Sequence, residues 1–301
     1  MKPALPTRIA ERTRSALMSW TMTEITARLG ASSNVYFWDG GRFGRRRVAQ
    51  MAEAGILNIE ISVDMAGHFD HNDQAHIAEI KDACHRSGAK VVSFHAPDLP
   101  WACPLPEVRT GTIKEFLALC EAAEQLGGPL MVCHFDMNEH TESFIREVLP
   151  LLAGTSVRLT IENGENLQDY ADFVDRIGSP QFGMIVDIGH TKDEDGRNPF
   201  TCADRARETI KVCGDRLFHL HLHEFWDGAD HWPPFYKGGL IEWGELLAGL
   251  ADIDYAGAFM FESVPIIPND PAAFDDNLQR IATFPAELVR LYGDDVEIAD
   301  P

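Results

Sequence analysis

The stretch from Arg216 to Trp243, RLFHLHLHEFWDGADHWPPFYKGGLIEW, holds the densest set of side chains able to bind a metal or move a proton. Phe218, Leu220 and Leu222 alternate with His219, His221 and His223. In a strand, that period of two puts three imidazoles on one face and three apolar side chains on the other. A solvated surface strand would account for any single histidine here. Burying a polar group without a partner costs about 2–7 kcal/mol, so a whole imidazole face asks for a metal, a substrate or mutual hydrogen bonds. Asp230 and His231 follow, beside Trp226 and Trp232.

Groups of the same kind recur at the ends of other apolar runs. His95 follows VVSF, His134 follows LMVC, Glu162 follows LTI, Asp187 follows MIV, and Glu262 follows FMF; with His221 these six lie 25 to 41 residues apart. Each interval has room for one strand and one helix. Two glutamates, an aspartate and a histidine around one point form a hard, oxygen-rich donor set. It suits one divalent ion, Mn2+ first, with Mg2+, Co2+ or Zn2+ as alternatives. Without a cation, carboxylates so grouped would repel one another.

The elements that must carry these groups are regular from residue 42 onward. Amphipathic stretches alternate with short apolar ones such as ILNIEIS, AKVVSFHAP, PLMVCHF, VRLTIEN, FGMIVDIGH and AGAFMFES. Buried strands alternating with helices mean a parallel sheet covered by helices, and eight such units in this length predict one closed (β/α)8 barrel. No Gly-rich nucleotide loop follows any strand. The chain reads as a single domain over 1–301. Within 1–40 two stretches, 16 to 25 and 33 to 40, compete for the first strand. Residues 271 to 292 read as a closing helix interrupted near Pro285, and 293–301 as a frayed tail.

Composition narrows the partners. The 301 residues carry 47 acidic and 26 basic side chains, a net charge of -21. A field of that sign repels polyanions, so no nucleic acid is expected. No apolar run reaches the roughly 18 residues of a membrane span. The charged N-terminal stretch MKPALPTRIAERTRSAL lacks the apolar core of a signal peptide, which points to the cytoplasm. The six cysteines show no CxxC pairing and read as reduced thiols.

Other side chains qualify the picture. Trp101, Phe225, Trp226 and Trp232 fall just after strands, where rings can stack on a sugar face or an aryl group, or simply pack under a loop. Arg45 to Arg47 read as a solvated helix face, and His68 and His71 as solvent-exposed. Glu60 is expected to line the barrel or pair with a neighbour. His219, one layer below His221, is expected to be a hydrogen-bonded interior histidine, and Cys133 a small core residue.

IEN at 161 to 163, VDIGH at 186 to 190, HLHE at 221 to 224, DH at 230 and 231 and FES at 261 to 263 together resemble the xylose-isomerase-like TIM-barrel superfamily. The resemblance covers roughly residues 43 to 265. It implies that Glu162, Asp187, His221 and Glu262 form a four-ligand metal set, with Glu162 and Glu262 exchanging a proton on opposite faces of a substrate. His190 matches a position whose imidazole faces that substrate, and Lys237 stands in a loop where some epimerases place an arginine. His95, His134, His223, Asp230, His231, Trp101, Trp226 and Trp232 complete the expected substrate-binding shell.

The implied activity is that of a sugar isomerase or epimerase abstracting a proton next to the carbonyl of a ketose or keto-sugar. Elimination of an aglycone from a keto-glycoside is a lyase variant of it. Relatives of this kind suggest a homodimer or homotetramer. A second branch of the same superfamily, the endonuclease IV type, uses three zinc ions on an abasic-site phosphodiester. Its ligand positions have counterparts in His95, His134, Glu162, Asp187, His190, His221, Asp230, His231 and Glu262. In that nuclease a residue separates the loop aspartate from the histidine; here they are adjacent, and in an extended loop adjacent side chains point apart. A non-catalytic barrel ranks last, since six rim ligands serve no packing purpose.

Overall fold

The computed structural model describes residues 20–65, 67–267 and 270–292. Within them, eight parallel strands close into a barrel. They are β1 (Leu29–Ser32), β2 (Asn58–Ser62), β3 (Lys90–His95), β4 (Leu130–Cys133), β5 (Arg158–Glu162), β6 (Phe182–Asp187), β7 (Leu217–Leu222) and, after a two-stranded hairpin, β10 (Phe259–Phe261). The ring runs β1-β10-β7-β6-β5-β4-β3-β2. The hairpin, β8 (Glu224–Trp226) with β9 (Ala229–Trp232), stands apart from it on the loop after β7.

Apolar patterning explains the two layers. Helices such as Glu139–Val148 and Leu167–Ile177 turn Phe144, Ile145, Phe173 and Val174 onto the barrel and their charges to solvent. Strands such as β4 and β6 are buried along their whole length on both faces, as continuous apolar runs require. The closing segment is two helices, Pro271–Ala282 and Phe284–Tyr292, broken as expected just before Pro285. Among the described residues no helix is long and apolar enough to cross a membrane. The charged N-terminal stretch and the tail at 293–301 lie outside the described residues.

Neither expected stretch supplies the first strand. Residues Met22–Arg28 are a helix, because Thr21 and Glu24 form a reciprocal capping box. Residues Ser33–Asp39 form a 3-10 helix capped by the Ser32 side chain. The strand is the short, wholly buried LGAS between them, paired with β10 and β2. A side chain at Gly30 would come within 2.7 Å of Met260 and 3.0 Å of the Asn58 carbonyl, so this strand can lie so close only with glycine there. A four-residue strand with two small residues offers no period to read.

Candidate metal centre

The mouth of the barrel is where strand ends deliver side chains, and the register sets their level. Asp187 stands directly opposite His221 across β6 and β7, and Met260 opposite His221 across β7 and β10, which sets Glu262 two residues further along, just past the end of β10. Glu162 ends β5. One ligand atom from each of Glu162, Asp187, His221 and Glu262 lies within 4.8 Å of the others, and all four residues are at most 5% exposed.

Asp187, Glu262 and His221 each have one atom already committed. Asp187 Oδ1 accepts from the Gly189 amide at 2.7 Å and from His223 Nε2 at 2.8 Å. Glu262 Oε1 accepts from the Asn34 amide at 2.6 Å, and His221 Nε2 donates to Glu60 Oε1 at 3.0 Å. Glu162 Oε2, Asp187 Oδ2 and His221 Nδ1, by contrast, are buried and have no hydrogen-bond partner. His221 Nδ1 lies 2.7 Å from Glu262 Oε2, without hydrogen-bonding alignment. Buried polar atoms are almost always satisfied, so unpaired donor atoms converging on one point fit a divalent cation.

Charge tells the same story. Burial alone would push the three carboxyls up, yet the adjacent imidazoles hold Glu162, Asp187 and Glu262 well below the usual carboxylate range. Against its own burial, His221 is driven well above the usual imidazole value by Glu262, Glu60 and Glu162. Without a cation, protons on histidines balance the acids; a cation replaces them, since ligands bind deprotonated.

Further imidazoles surround this set. His134 Nε2 lies 3.2 Å and His95 Nε2 3.6 Å from Glu162 Oε2. His190 Nδ1 is 3.5 Å from Glu162 Oε1, on the other side of that carboxylate. His223 is buried against Asp187 and also accepts from the His231 amide at 3.1 Å. His231 Nε2 points to Glu262 Oε2 at 3.4 Å and Asp187 Oδ2 at 3.7 Å.

Asp230 and His231 do not point apart. His231 has a left-handed backbone, φ 58°, which folds its ring back so that Nδ1 meets Asp230 Oδ1 at 3.0 Å. Asp230 therefore orients His231, which alone reaches the centre.

The aromatic expectations divide. Trp101 is 5% exposed and packs edge-on against Phe116, Phe135 and Phe144, which puts it in the core and not on the mouth. Trp226 and Trp232 are half-buried on the hairpin. Trp232 stacks on Tyr236 at 4.5 Å, and Lys237 Nζ sits 5.6 Å from the Trp226 ring centre. His68 and His71 are not solvent-exposed: His68 is 4% exposed and bonded to the Gly41 carbonyl, and His71 pairs with Glu115 at 3.0 Å.

Three residues escaped the sequence reading. Asn163, the last letter of IEN, accepts from the Asp187 amide at 2.7 Å and so ties β5 to β6 at the rim. Glu224, the last letter of HLHE, is buried and accepts from the amides of Phe225, Phe235, Leu240 and Ile241 and from Trp243 Nε1. Both sit in motifs whose shape could have flagged them. Asn34, which holds Glu262, lies in the 3-10 helix after β1 and carries no sequence signal.

Comparison with known proteins agrees with this architecture. A family model described as xylose isomerase-like TIM barrel matches residues 48–283. The D-psicose 3-epimerase of Enterocloster bolteae is 33% identical over 95 residues, a match spanning 32% of this chain and only 27% of that protein. A solved D-psicose 3-epimerase, studied in the presence of D-fructose, superposes with TM-score 0.67 at 15% identity over 88% of this chain and 99% of its own. The 3-keto-D-glucoside 4-epimerase from E. coli does so with TM-score 0.62 at 18% identity, covering 85% and 99%. At these identities the structural likeness speaks for the fold. On the span of the family match, the chain belongs to the xylose isomerase-like TIM-barrel family.

Proposed function

We propose that this protein is a divalent-metal-dependent sugar isomerase or epimerase. It would act by moving a proton next to the carbonyl of a ketose or keto-sugar, with Mn2+ as the first expectation for the ion. The observation that carries the reading is the convergence of unpaired buried donor atoms from Glu162, Asp187 and His221 beside Glu262. The epimerase names of its relatives support the substrate class.

A cation held there would supply Lewis-acid stabilisation of the developing enediolate. The chain's own groups do the rest. Glu162 and Glu262 approach from β5 and from the end of β10, so two carboxylates can address a substrate carbon from different sides. Each is ionised at neutral pH and able to accept a proton. Asn34 occupies Glu262 Oε1 and leaves Oε2 facing the centre. His134, His190 and His231, partly exposed around the acids, are placed to meet substrate hydroxyls.

The test is metal content of protein purified without chelator, followed by solvent deuterium incorporation into a panel of ketoses and keto-glycosides. Near one Mn, Mg or Co per chain with deuterium entering a carbon next to the carbonyl supports the proposal. Retained exchange in both Glu162→Gln and Glu262→Gln would remove the two-carboxylate mechanism.

One observation favours a second reading. Ligand atoms of His95, His134 and Glu162, and those of Asp187, His190 and His231, also lie within 4.8 Å of one another, flanking the central set. Two further ions there would suit a multi-zinc phosphodiesterase of the endonuclease IV type. The net charge of -21 opposes a DNA substrate. About three zinc ions per chain and cleavage of abasic-site DNA would move the assignment to it.

A further inference from the structure

Among the described residues, Glu60 is the one fully buried carboxylate in the barrel interior that the proposed chemistry leaves without a task. It lies on β2, on the far side of β1 and β10 from β7, and reaches across the interior to two histidines at once. Its Oε1 accepts from His221 Nε2 and its Oε2 from His219 Nε2, each at 3.0 Å. Ser93 Oγ adds a third bond to Oε2 at 2.8 Å. A register shift between Ile59 and Glu60 is what sets Glu60 opposite Ser93. A second shift, at Met184 and Ile185, pairs β6 with β7 so that Asp187 meets His221.

These bonds decide which nitrogen of His221 carries the hydrogen. A carboxylate only accepts, so Nε2 keeps its N–H, and Nδ1 is the nitrogen that would give up its proton and offer a lone pair when a cation binds. Nδ1 is the atom that faces Glu162, Asp187 and Glu262, at 3.7, 4.0 and 2.7 Å. We propose that Glu60 is a positioning residue for the metal centre, fixing the tautomer and orientation of His221 so that Nδ1 is presented to the ion. Carboxylate partners of this kind also make a ligating imidazole more basic, and their loss lowers metal affinity by about 10–100-fold. The inference rests on the four-ligand reading above. It adds that the lower layer of the barrel, Ser93, Glu60 and His219, belongs functionally to the upper one.

The experiment is a competition titration of Mn2+ and Co2+ against a chelator for the wild type and Glu60→Gln, with the visible absorption of the Co2+ form recorded for both. Glutamine keeps the shape and one acceptor but removes the charge. An affinity loss of about 10–100-fold with a shifted Co2+ spectrum is expected. Affinity within twofold of the wild type and an unchanged spectrum would overturn the inference. A wild type that binds neither ion would instead overturn the metal reading, so the two failures are separable. Should Glu60→Gln fail to fold, 15N NMR of the histidine rings in the wild type, with and without Cd2+, decides. Protonated Nε2 and metallated Nδ1 on His221 support the proposal, and the reverse pattern sinks it.

Discussion

Asp187 and His221 meet across a pair of hydrogen-bonded strands, whereas His231 reaches the same point from the segment after β7, whose backbone is left-handed at Asp227, His231, Phe235 and Lys237. The strand-borne groups are at most 5% exposed and their direction follows from the pleat. The loop-borne groups hang on a backbone in which each left-handed non-glycine residue costs about 1–3 kcal/mol. Such strain persists only where the surroundings over-determine it. Here Glu224 does so, with five donors converging on one buried carboxylate. The same mouth is thus built twice, once by register and once by a polar keystone, and the two halves should respond differently to damage.

The largest difference is expected in catalysis. Glu162→Gln or Glu262→Gln should cut proton exchange into substrate by about 10²–10⁴-fold, the range for a lost acid or base. A hairpin change such as Trp232→Ala should leave the exchange chemistry in place and act mainly on KM; kcat and KM on one substrate check this. If the hairpin variant loses as much kcat as the carboxylate variants, the division fails.

Metal removal comes next. An ion present at 100 times its Kd adds about 2.7 kcal/mol of stability, and in the proposed site the strand-borne residues would hold it. Thermal unfolding with and without chelator should show that loss in the wild type and a much smaller one in Asp187→Asn. Equal shifts would place the ion elsewhere.

The keystone can be tested at Gly239. It has φ 62°, and a Cβ there would lie 2.1 Å from Glu224 Oε2. Gly239→Ala should therefore cost about 1–3 kcal/mol, spent mainly in the hairpin loop. Limited proteolysis should cut the 224–243 segment faster while the apparent barrel melting changes little. Uniform loss across the barrel would show that the two halves are one cooperative unit.

A separate effect is a pH dependence. With metal removed, burial would lower His95, but Glu162 with Glu262 and Glu60 raises it to about 10. A raised imidazole contributes stability fully below its ordinary value near 6.5, and that contribution is lost as pH climbs through 10. Chelated protein should lose stability across that window, and metal should flatten the curve, because the cation replaces the proton. Melting temperature against pH in both states measures it.

Six rim residues were readable because a strand end is a fixed place. An apolar run followed by a charged or imidazole side chain at 25- to 41-residue intervals needs no tertiary information to suggest one ring of groups. His219 was readable as a hydrogen-bonded interior residue for the same reason of alternation, and its partner is Glu60. The short first strand was not, because LGAS has neither length nor period and is specified by its neighbours β2 and β10. Trp101 carried no mark distinguishing a ring under a loop from a ring on the mouth.

Local pattern therefore reaches as far as the choice of a barrel and the six rim positions, since both depend on periodicity along the chain; the choice of four of them as a ligand set comes from the family resemblance and is part of the proposal. Which atom of each ligand is free depends on partners distant in sequence. Asn34 is 228 residues from Glu262, and Glu60 161 residues from His221. Closing the barrel brings them together. The folding back of His231 depends on one backbone angle that no side-chain pattern records. Hydrogen bonds across a barrel and left-handed turns in a loop are set by the whole fold, and there the tertiary structure decided what the site presents.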